Sequence, residues 1–482
     1  MTEFAGRAAD LALLRDQLGT VTASSGGTRG RAVIMMGRRR VGKSRLTQEF
    51  CERSGVPYLV FQATKGRNAA AERSDFIEAV GQSLLPGRDL MAGLEARDWN
   101  QALRSLAVAV ADQTPSIIVL DEVPWFVEAD NEFEGALQTV WDRYLSEKPV
   151  LLILVGSDLS IMESLQSYGR PFFGRAARMR VQPLHLGDVQ SMTGLGAAEA
   201  IDASLITGGF PEIVQEWRPG MSRIEYLRAS LSNPLSPLLM SGELSLLSEF
   251  PAATHARVAL EAIGAGERTF SAIANKAGGS TPVPSGTLAP VLTNLVTKQV
   301  VSADLPLSAK TDTKNKRYRV ADPYLRFWLA FLQRGIAETE RGRGDWVLAR
   351  IERSWTSWRG RAVEPIVRES LARLLPDDRW PDTEAVGGWW NRQNNPEIDL
   401  IGADRAPTAE HIHFVGSIKW LENQLFGRRD YDALIRCATT VPGATLETPL
   451  VAVSRSGVSS DLPLAATWRP EDLVQAWHRS TI

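Results

Sequence analysis

Gly37-Arg38-Arg39-Arg40-Val41-Gly42-Lys43-Ser44 fits the spacing Gly-x4-Gly-Lys-Ser/Thr. Before it, the apolar run Ala32-Val33-Ile34-Met35-Met36 predicts a buried strand; after it, Leu46 and Phe50 mark one side of a helix. Strand, glycine loop and helix form the setting in which backbone N–H groups curl round phosphates at a positively polarised helix N-terminus. On this reading the octapeptide and Arg45 line the phosphates of a nucleotide. Lys43 reaches the β and γ phosphates, and the Ser44 hydroxyl ligates Mg²⁺.

A second stretch supports the first. Ile117-Ile118-Val119-Leu120-Asp121-Glu122 is an apolar strand ending in two acids. Asp121 is placed to hold Mg²⁺, and Glu122 to orient and polarise the water that attacks the γ phosphate. A further strand, Leu151-Leu152-Ile153-Leu154-Val155, ends in Gly156-Ser157-Asp158. Ser157 is either a hydrogen-bond partner of that water or of the γ phosphate, or a helix N-cap. Arg175, in Gly174-Arg175-Ala176-Ala177-Arg178, could meet the charge developing during hydrolysis, in its own subunit or a neighbour's. A solvated or ion-paired arginine is the other reading. The guanine-reading pattern Asn-Lys-x-Asp is absent, since Asn275-Lys276 is followed by Ala277-Gly278, and ATP is favoured over GTP.

The chain has 482 residues, which predicts two to four domains. Hydrophobic residues make up 44% and charged residues 23%, an ordinary globular balance. A formal net charge of −2 means that any nucleic-acid surface must be local. Cys51 and Cys437 stand far apart, outside any zinc-ligand spacing, as expected of a reducing compartment. No apolar stretch is long enough for a membrane helix, and Met1-Thr2-Glu3-Phe4 does not begin a signal peptide, so a cytoplasmic location is expected.

The pattern predicts an ATPase core over residues 1–180, with alternating strands and helices and a Gly/Ser/Thr-rich loop at 20–31. A helical lid is expected over 181–248, a three-helix unit with a hairpin over 249–340, a linker at Arg341–Gly344, and an α/β domain over 345–482. Ten of the 14 tryptophans lie beyond residue 320, which gives the C-terminal part its own aromatic core.

Phe4-x-Gly6-Arg7, the glycine loop, Val119-Leu120-Asp121-Glu122, Gly156-Ser157, Gly174-Arg175 and Gly208-Gly209-Phe210-Pro211 together resemble the archaeal-type ATPase family of the AAA+/STAND superclass. The resemblance implies that Phe4, Gly6 and Arg7 pack near the adenine and that the Gly-Gly-x-Pro segment sits in the lid. It continues through a winged helix to Tyr318–Trp328 and ends in a domain similar to PD-(D/E)xK nucleases. The fold class expected is therefore α/β: a P-loop NTPase parallel sheet with a helical lid, a winged helix and a restriction-endonuclease-like C-terminal domain. AAA+-like cores often form rings whereas STAND relatives can rest as ADP-bound monomers, so a homo-oligomer is one of two expectations.

In the winged-helix segment the third helix carries Thr287, Thr293, Asn294 and Lys298 outward, mostly neutral residues, and Pro290 should bend or shorten it. The hairpin is more basic. Lys310, Lys314, Lys316, Arg317 and Arg319 face only Asp312 there, a composition suited to the phosphates of double-stranded DNA.

In the C-terminal domain Asp399 and Lys419 match the nuclease pattern, but Ser417 stands where that class has Glu or Asp. Losing a carboxylate weakens a hard-cation site. Glu397, on the strand face of Asp399, and Glu364, on a preceding helix, could supply displaced acids. The expectation is a degenerate nuclease kept as a scaffold. An active enzyme with a displaced acid is the alternative, and a plain Asp399–Lys419 ion pair the simplest reading. Taken together, the sequence predicts a Mg²⁺-dependent, ATP-hydrolysing switch associated with DNA; a nucleotide-controlled signalling scaffold and an ATP-regulated nuclease are the other readings.

Overall fold

A computed structural model of the chain describes residues 4–22, 30–249, 254–393 and 395–478. The chain forms two compact units, Met1–Leu184 and His185–Ile482. Most of the expected loop at 20–31, namely 23–29, lies outside the described residues.

The first unit is built on five strands: β1 (Arg31–Met36), β2 (Tyr58–Gln62), β3 (Ser116–Asp121), β4 (Val150–Gly156) and β5 (Ala177–Arg180). They lie in the order β2-β3-β4-β1-β5, and all pairings are parallel. This is the expected α/β fold with a parallel sheet. Every residue of β3 and β4 is buried, as expected for parallel strands covered on both faces. Phe61, Phe76, Trp99, Phe126 and Phe133 pack on one face of the sheet, with Phe126 and Phe133 stacked at 4.7 Å. That cluster anchors the short helix Val123–Ala129, which carries the backbone away from the end of β3.

The second unit begins with helices Leu186–Thr193, Ala197–Thr207, Pro211–Val214, Arg223–Leu231 and Pro237–Glu249. Helices Thr254–Gly264, Phe270–Gly278 and Ser285–Thr297 follow, then the antiparallel hairpin of β6 (Val301–Asp304) and β7 (Arg317–Val320). Pro290 does not shorten the third helix, which runs for 13 residues with the proline inside it. The expected linker at Arg341–Gly344 is instead a tight turn between helices Ile336–Glu340 and Gly344–Ala362. Gly344 is buried, and any Cβ there would collide with the Leu231 carbonyl, so the turn is packed into the unit.

The remaining strands are β8 (Ala385–Trp390), β9 (Glu397–Ala403), β10 (Ile412–Lys419), β11 (Leu450–Ser454) and β12 (Ala466–Trp468). They form a sheet in the order β12-β11-β10-β9-β8, antiparallel from β8 to β10 and parallel from β10 to β12, with helix Arg428–Ala438 crossing between β10 and β11. Trp380, Phe414 and Trp468 pack on this sheet, while Trp355 and Trp358 pack with Phe327 on the helices before it. The tryptophan-rich part thus holds two aromatic clusters.

Candidate functional site

The glycine loop leaves the carboxyl end of β1 and opens helix Lys43–Ser54. Gly42 caps that helix at φ 90°, a left-handed conformation that glycine adopts without a Cβ penalty. Gly37 is required for a different reason: a Cβ there would strike the Val181 carbonyl. Arg39, Arg40, Ser44 and Arg45 are exposed, Arg38 is half-buried, and Arg45 pairs with Glu49 at 3.1 Å.

Lys43 is only 6% exposed and folds across the loop, its Nζ donating to the carbonyls of Gly37 (2.8 Å) and Arg38 (3.1 Å). Burial pushes its ammonium down to about 8, against the pull of Glu122 and Asp121 and with a further push from Arg39. The two acids therefore act on this lysine through space.

Asp121 is buried at the end of β3, and its Oδ1 accepts the Glu122 N–H at 2.8 Å. Glu122 sits at φ 55°, strained for a non-glycine residue. Ser157 Oγ lies 3.0 Å from both carboxylate oxygens of Glu122. Asp158, not Ser157, caps the following helix by accepting the Ile161 N–H at 3.0 Å. The strand order explains the meeting, because β4 lies between β1 and β3 and delivers Ser157 between the loop and the acids. Ligands of open α/β sheets bind beyond the carboxyl ends of such strands.

Arg175 is not brought to this loop within its own subunit. Its Nε and Nη2 form a fork on Asp142 at 2.8 and 2.7 Å, and Nη1 donates to Pro171 and Phe173 carbonyls. The register gives the reason. Met36, the last residue before the loop, pairs with Arg180, whereas Arg175 precedes Ala177, the partner of Val33. It therefore lies toward the opposite end of β5.

The N-terminal box packs against the loop's helix and the loop itself. Phe4 lies 5.7 Å from the Arg53 guanidinium, at the far end of the loop's helix. Gly6 and Arg7 are both left-handed (φ 74° and 66°). The buried Arg7 guanidinium donates to the Val41 carbonyl inside the glycine loop, to the Gln182 carbonyl at 2.6 Å and to Asp10 at 3.0 Å.

In the second unit the structure does not join Asp399 to Lys419. Asp399 Oδ2 accepts from Ser417 Oγ (2.9 Å) and the Ile418 N–H (2.8 Å), while Lys419 pairs with Asp430 at 2.7 and 2.9 Å. Glu397 turns to Arg317, which grips both its oxygens, and to Arg268 at 3.4 Å. Glu364 holds Arg368 at 3.0 Å, and Arg368 Nε donates to the Asp399 carbonyl at 2.9 Å. Burial raises the Asp399 and Glu364 carboxyls. Burial also lifts Glu397, but the hydrogen bonds and charge of Arg317, with Arg268, hold it below the usual range. Among the described residues, no three His, Cys, Asp or Glu side chains are arranged to hold a metal ion.

Two of the five hairpin bases are thereby committed inside the unit. Arg317 is buried, lies 4.3 Å over the Trp390 ring and pairs with Glu397; Arg319 pairs with Asp304 at 2.7 Å. Lys310, Lys314 and Lys316 remain exposed. The hairpin tip is fastened to β8, with the Asn315 side chain donating to the Trp390 carbonyl and Trp390 Nε1 donating back to the Asn315 carbonyl, both at 3.1 Å. Arg392, exposed in the turn two residues beyond Trp390, follows directly on this fastening, which sequence reading missed because 75 residues separate the bonded pair.

No helix among the described residues is long and apolar enough to cross a membrane. Residues 328–429 match a family model described as archaea bacterial proteins of unknown function. An uncharacterized protein of Methanocaldococcus jannaschii is 24% identical over 374 residues, which cover 77% of this chain and 79% of that one. Among solved structures, a Walker-type ATPase of Pyrococcus abyssi is similar with a TM-score of 0.48 and 18% identity, covering 68% of this chain and 96% of its own. The ORC2 protein of Aeropyrum pernix, in ADPNP and ADP complexes, gives 0.46 and 13%, covering 71% of this chain and 97% of its own.

Proposed function

We propose that the chain is a Mg²⁺-dependent ATP-binding and hydrolysing switch. The observation that carries this reading is the meeting of Lys43, Asp121, Glu122 and Ser157 at the carboxyl ends of adjacent strands. Backbone N–H groups of the glycine loop and the Lys43 ammonium suit a triphosphate. The Ser44 hydroxyl and the Asp121 carboxylate are hard oxygen donors of the kind Mg²⁺ prefers, and the ion would neutralise charge on the phosphates. Glu122, aligned by Ser157, would polarise the attacking water. Lys43→Ala should abolish ATP binding in calorimetry, and Glu122→Gln should bind ATP yet release phosphate far more slowly. A Lys43→Ala protein that binds and hydrolyses like the parent ends this reading.

We further read residues 185–248 as a lid, 254–340 as a winged helix and 345–478 as a nuclease-like scaffold. Glu397 held by Arg317 and Lys419 held by Asp430 favour a scaffold over an active nuclease. Lys310, Lys314, Lys316 and Arg392 are the surface that would meet duplex DNA phosphates. Cleavage of DNA with Mg²⁺ or Mn²⁺, abolished by Asp399→Ala, would overturn the scaffold reading.

A further inference from the structure

We infer that Arg7 is a positioning residue that ties the state of the phosphate loop to the chain's exit from the first unit. The inference rests on the nucleotide reading above and concerns how that site is read out. Arg7 is 6% exposed, and its fork reaches two main-chain oxygens that no sequence pattern connects. One is Val41, inside the glycine loop; the other is Gln182, two residues past the end of β5. Only Pro183 and Leu184 then separate Gln182 from His185, where the second unit begins.

The peptide plane makes the contact consequential. Carbonyl and N–H of one trans peptide point in opposite directions. Arg7, by holding the Val41 carbonyl, fixes the direction of the Gly42 N–H in the same peptide. That N–H belongs to the set a phosphate would use. A phosphate that reorients this peptide must move its carbonyl, and with it the guanidinium that also grips Gln182.

Two further contacts bind the exit segment to the loop. The Val181 N–H donates to the Met36 carbonyl at 2.8 Å, and Gly37 lies so close to the Val181 carbonyl that no side chain fits between them. Residues 181 and 182 thus touch the loop at its first glycine, at the strand before it and, through Arg7, at Val41. Asp10 accepts at 3.0 Å from Nη1, the same nitrogen that reaches Gln182, so this arm of the fork cannot turn away freely. A lysine would keep the charge but lacks the planar fork that reaches two carbonyls at once.

The test compares amide hydrogen exchange at residues 37–44 and at Val181, Gln182 and Leu184, with and without ATPγS and Mg²⁺, in the full chain. In the parent, nucleotide should slow exchange in both segments. In Arg7→Lys, calorimetry should show ATPγS binding about fivefold weaker, the effect of roughly one lost hydrogen bond. Protection should persist at 37–44 and disappear at 181–184. Should Arg7→Lys fail to fold, Asp10→Asn, which removes the ion pair that steadies the guanidinium, should reduce protection at 181–184 alone. Equal protection of 181–184 in parent and folded variant overturns the inference while leaving the nucleotide reading intact. A parent that does not bind ATPγS overturns both.

Discussion

The Ser157 hydroxyl is equidistant, at 3.0 Å, from the two carboxylate oxygens of Glu122. One hydroxyl proton shared by two oxygens steers the carboxylate without committing it to either. Glu122 also stands at a strained backbone position, so its direction depends on such a neighbour. Ser157→Ala should therefore lower the ATP turnover number by about tenfold, equivalent to ~1.4 kcal/mol of transition-state stabilisation. Calorimetric ATP affinity should stay within about twofold, since the hydroxyl is expected to act on the carboxylate rather than on the phosphates. A parallel loss of affinity and turnover would assign Ser157 to binding instead.

Lys43 sets a pH dependence. Its folded pKa of about 8 lies below the ordinary lysine value. Between pH 8 and the unfolded value, the unfolded chain binds the extra proton, so stability rises with pH across that window; below pH 8 the penalty of burying the ammonium is fully present. Denaturant titrations without nucleotide should show this rise in the parent and not in Lys43→Met. ATP affinity should run the other way and weaken above pH 8 as the ammonium is lost. A flat affinity between pH 7 and pH 9 would remove Lys43 from the phosphate site.

Arg317 and Glu397 supply a stability prediction. Arg317 is 7% exposed and Glu397 26%, and Arg268 remains as a second partner for the acid. Arg317→Gln should cost about 2 kcal/mol, below the ~3–5 kcal/mol of a wholly buried pair because Glu397 keeps some solvent and one arginine. In the double variant Arg317→Gln/Glu397→Gln, urea unfolding should recover part of that loss. Simple additivity of the two single changes would deny the coupling.

Lys314 and Lys316 flank Asn315, whose reciprocal bonds with Trp390 hold the tip in place. Neutralising both lysines to Gln should reduce the slope of log affinity against log salt for duplex DNA by about 2, roughly one per phosphate contact. The fold should be unaffected, since both side chains are exposed. An unchanged slope would move any DNA contact away from the hairpin.

The first unit was legible because its signals are local. The loop, the acidic strand end and the apolar runs each lie within a few consecutive residues, and parallel strands buried on both faces announce themselves as continuous hydrophobic stretches. Ser157 could be narrowed to two roles but not assigned, because its partner Glu122 is 35 residues away and only the strand order joins them. Arg175 was left between a catalytic and an ion-paired reading for a similar reason, and within its own subunit the ion pair with Asp142 is what forms. A Gly-Arg pair carries no mark of its register, and the pairing of Val33 with Ala177 settles which end it occupies. The hairpin misled in another way. Counting charge along the segment found Asp312, whereas the acids that neutralise Arg319 and Arg317 are Asp304, on the other strand, and Glu397, 80 residues on.

The fastening of the hairpin to β8 bears on how the protein can be dissected. Besides the Asn315–Trp390 pair, the Leu307 amide donates to the Gly388 carbonyl and the Ala309 amide to Pro442. A fragment ending near residue 340 would strip these donors, together with Arg317, of every one of those acceptors. Such a piece would expose a sticky, half-satisfied edge, so the three helices and the β8–β12 sheet should be expressed together.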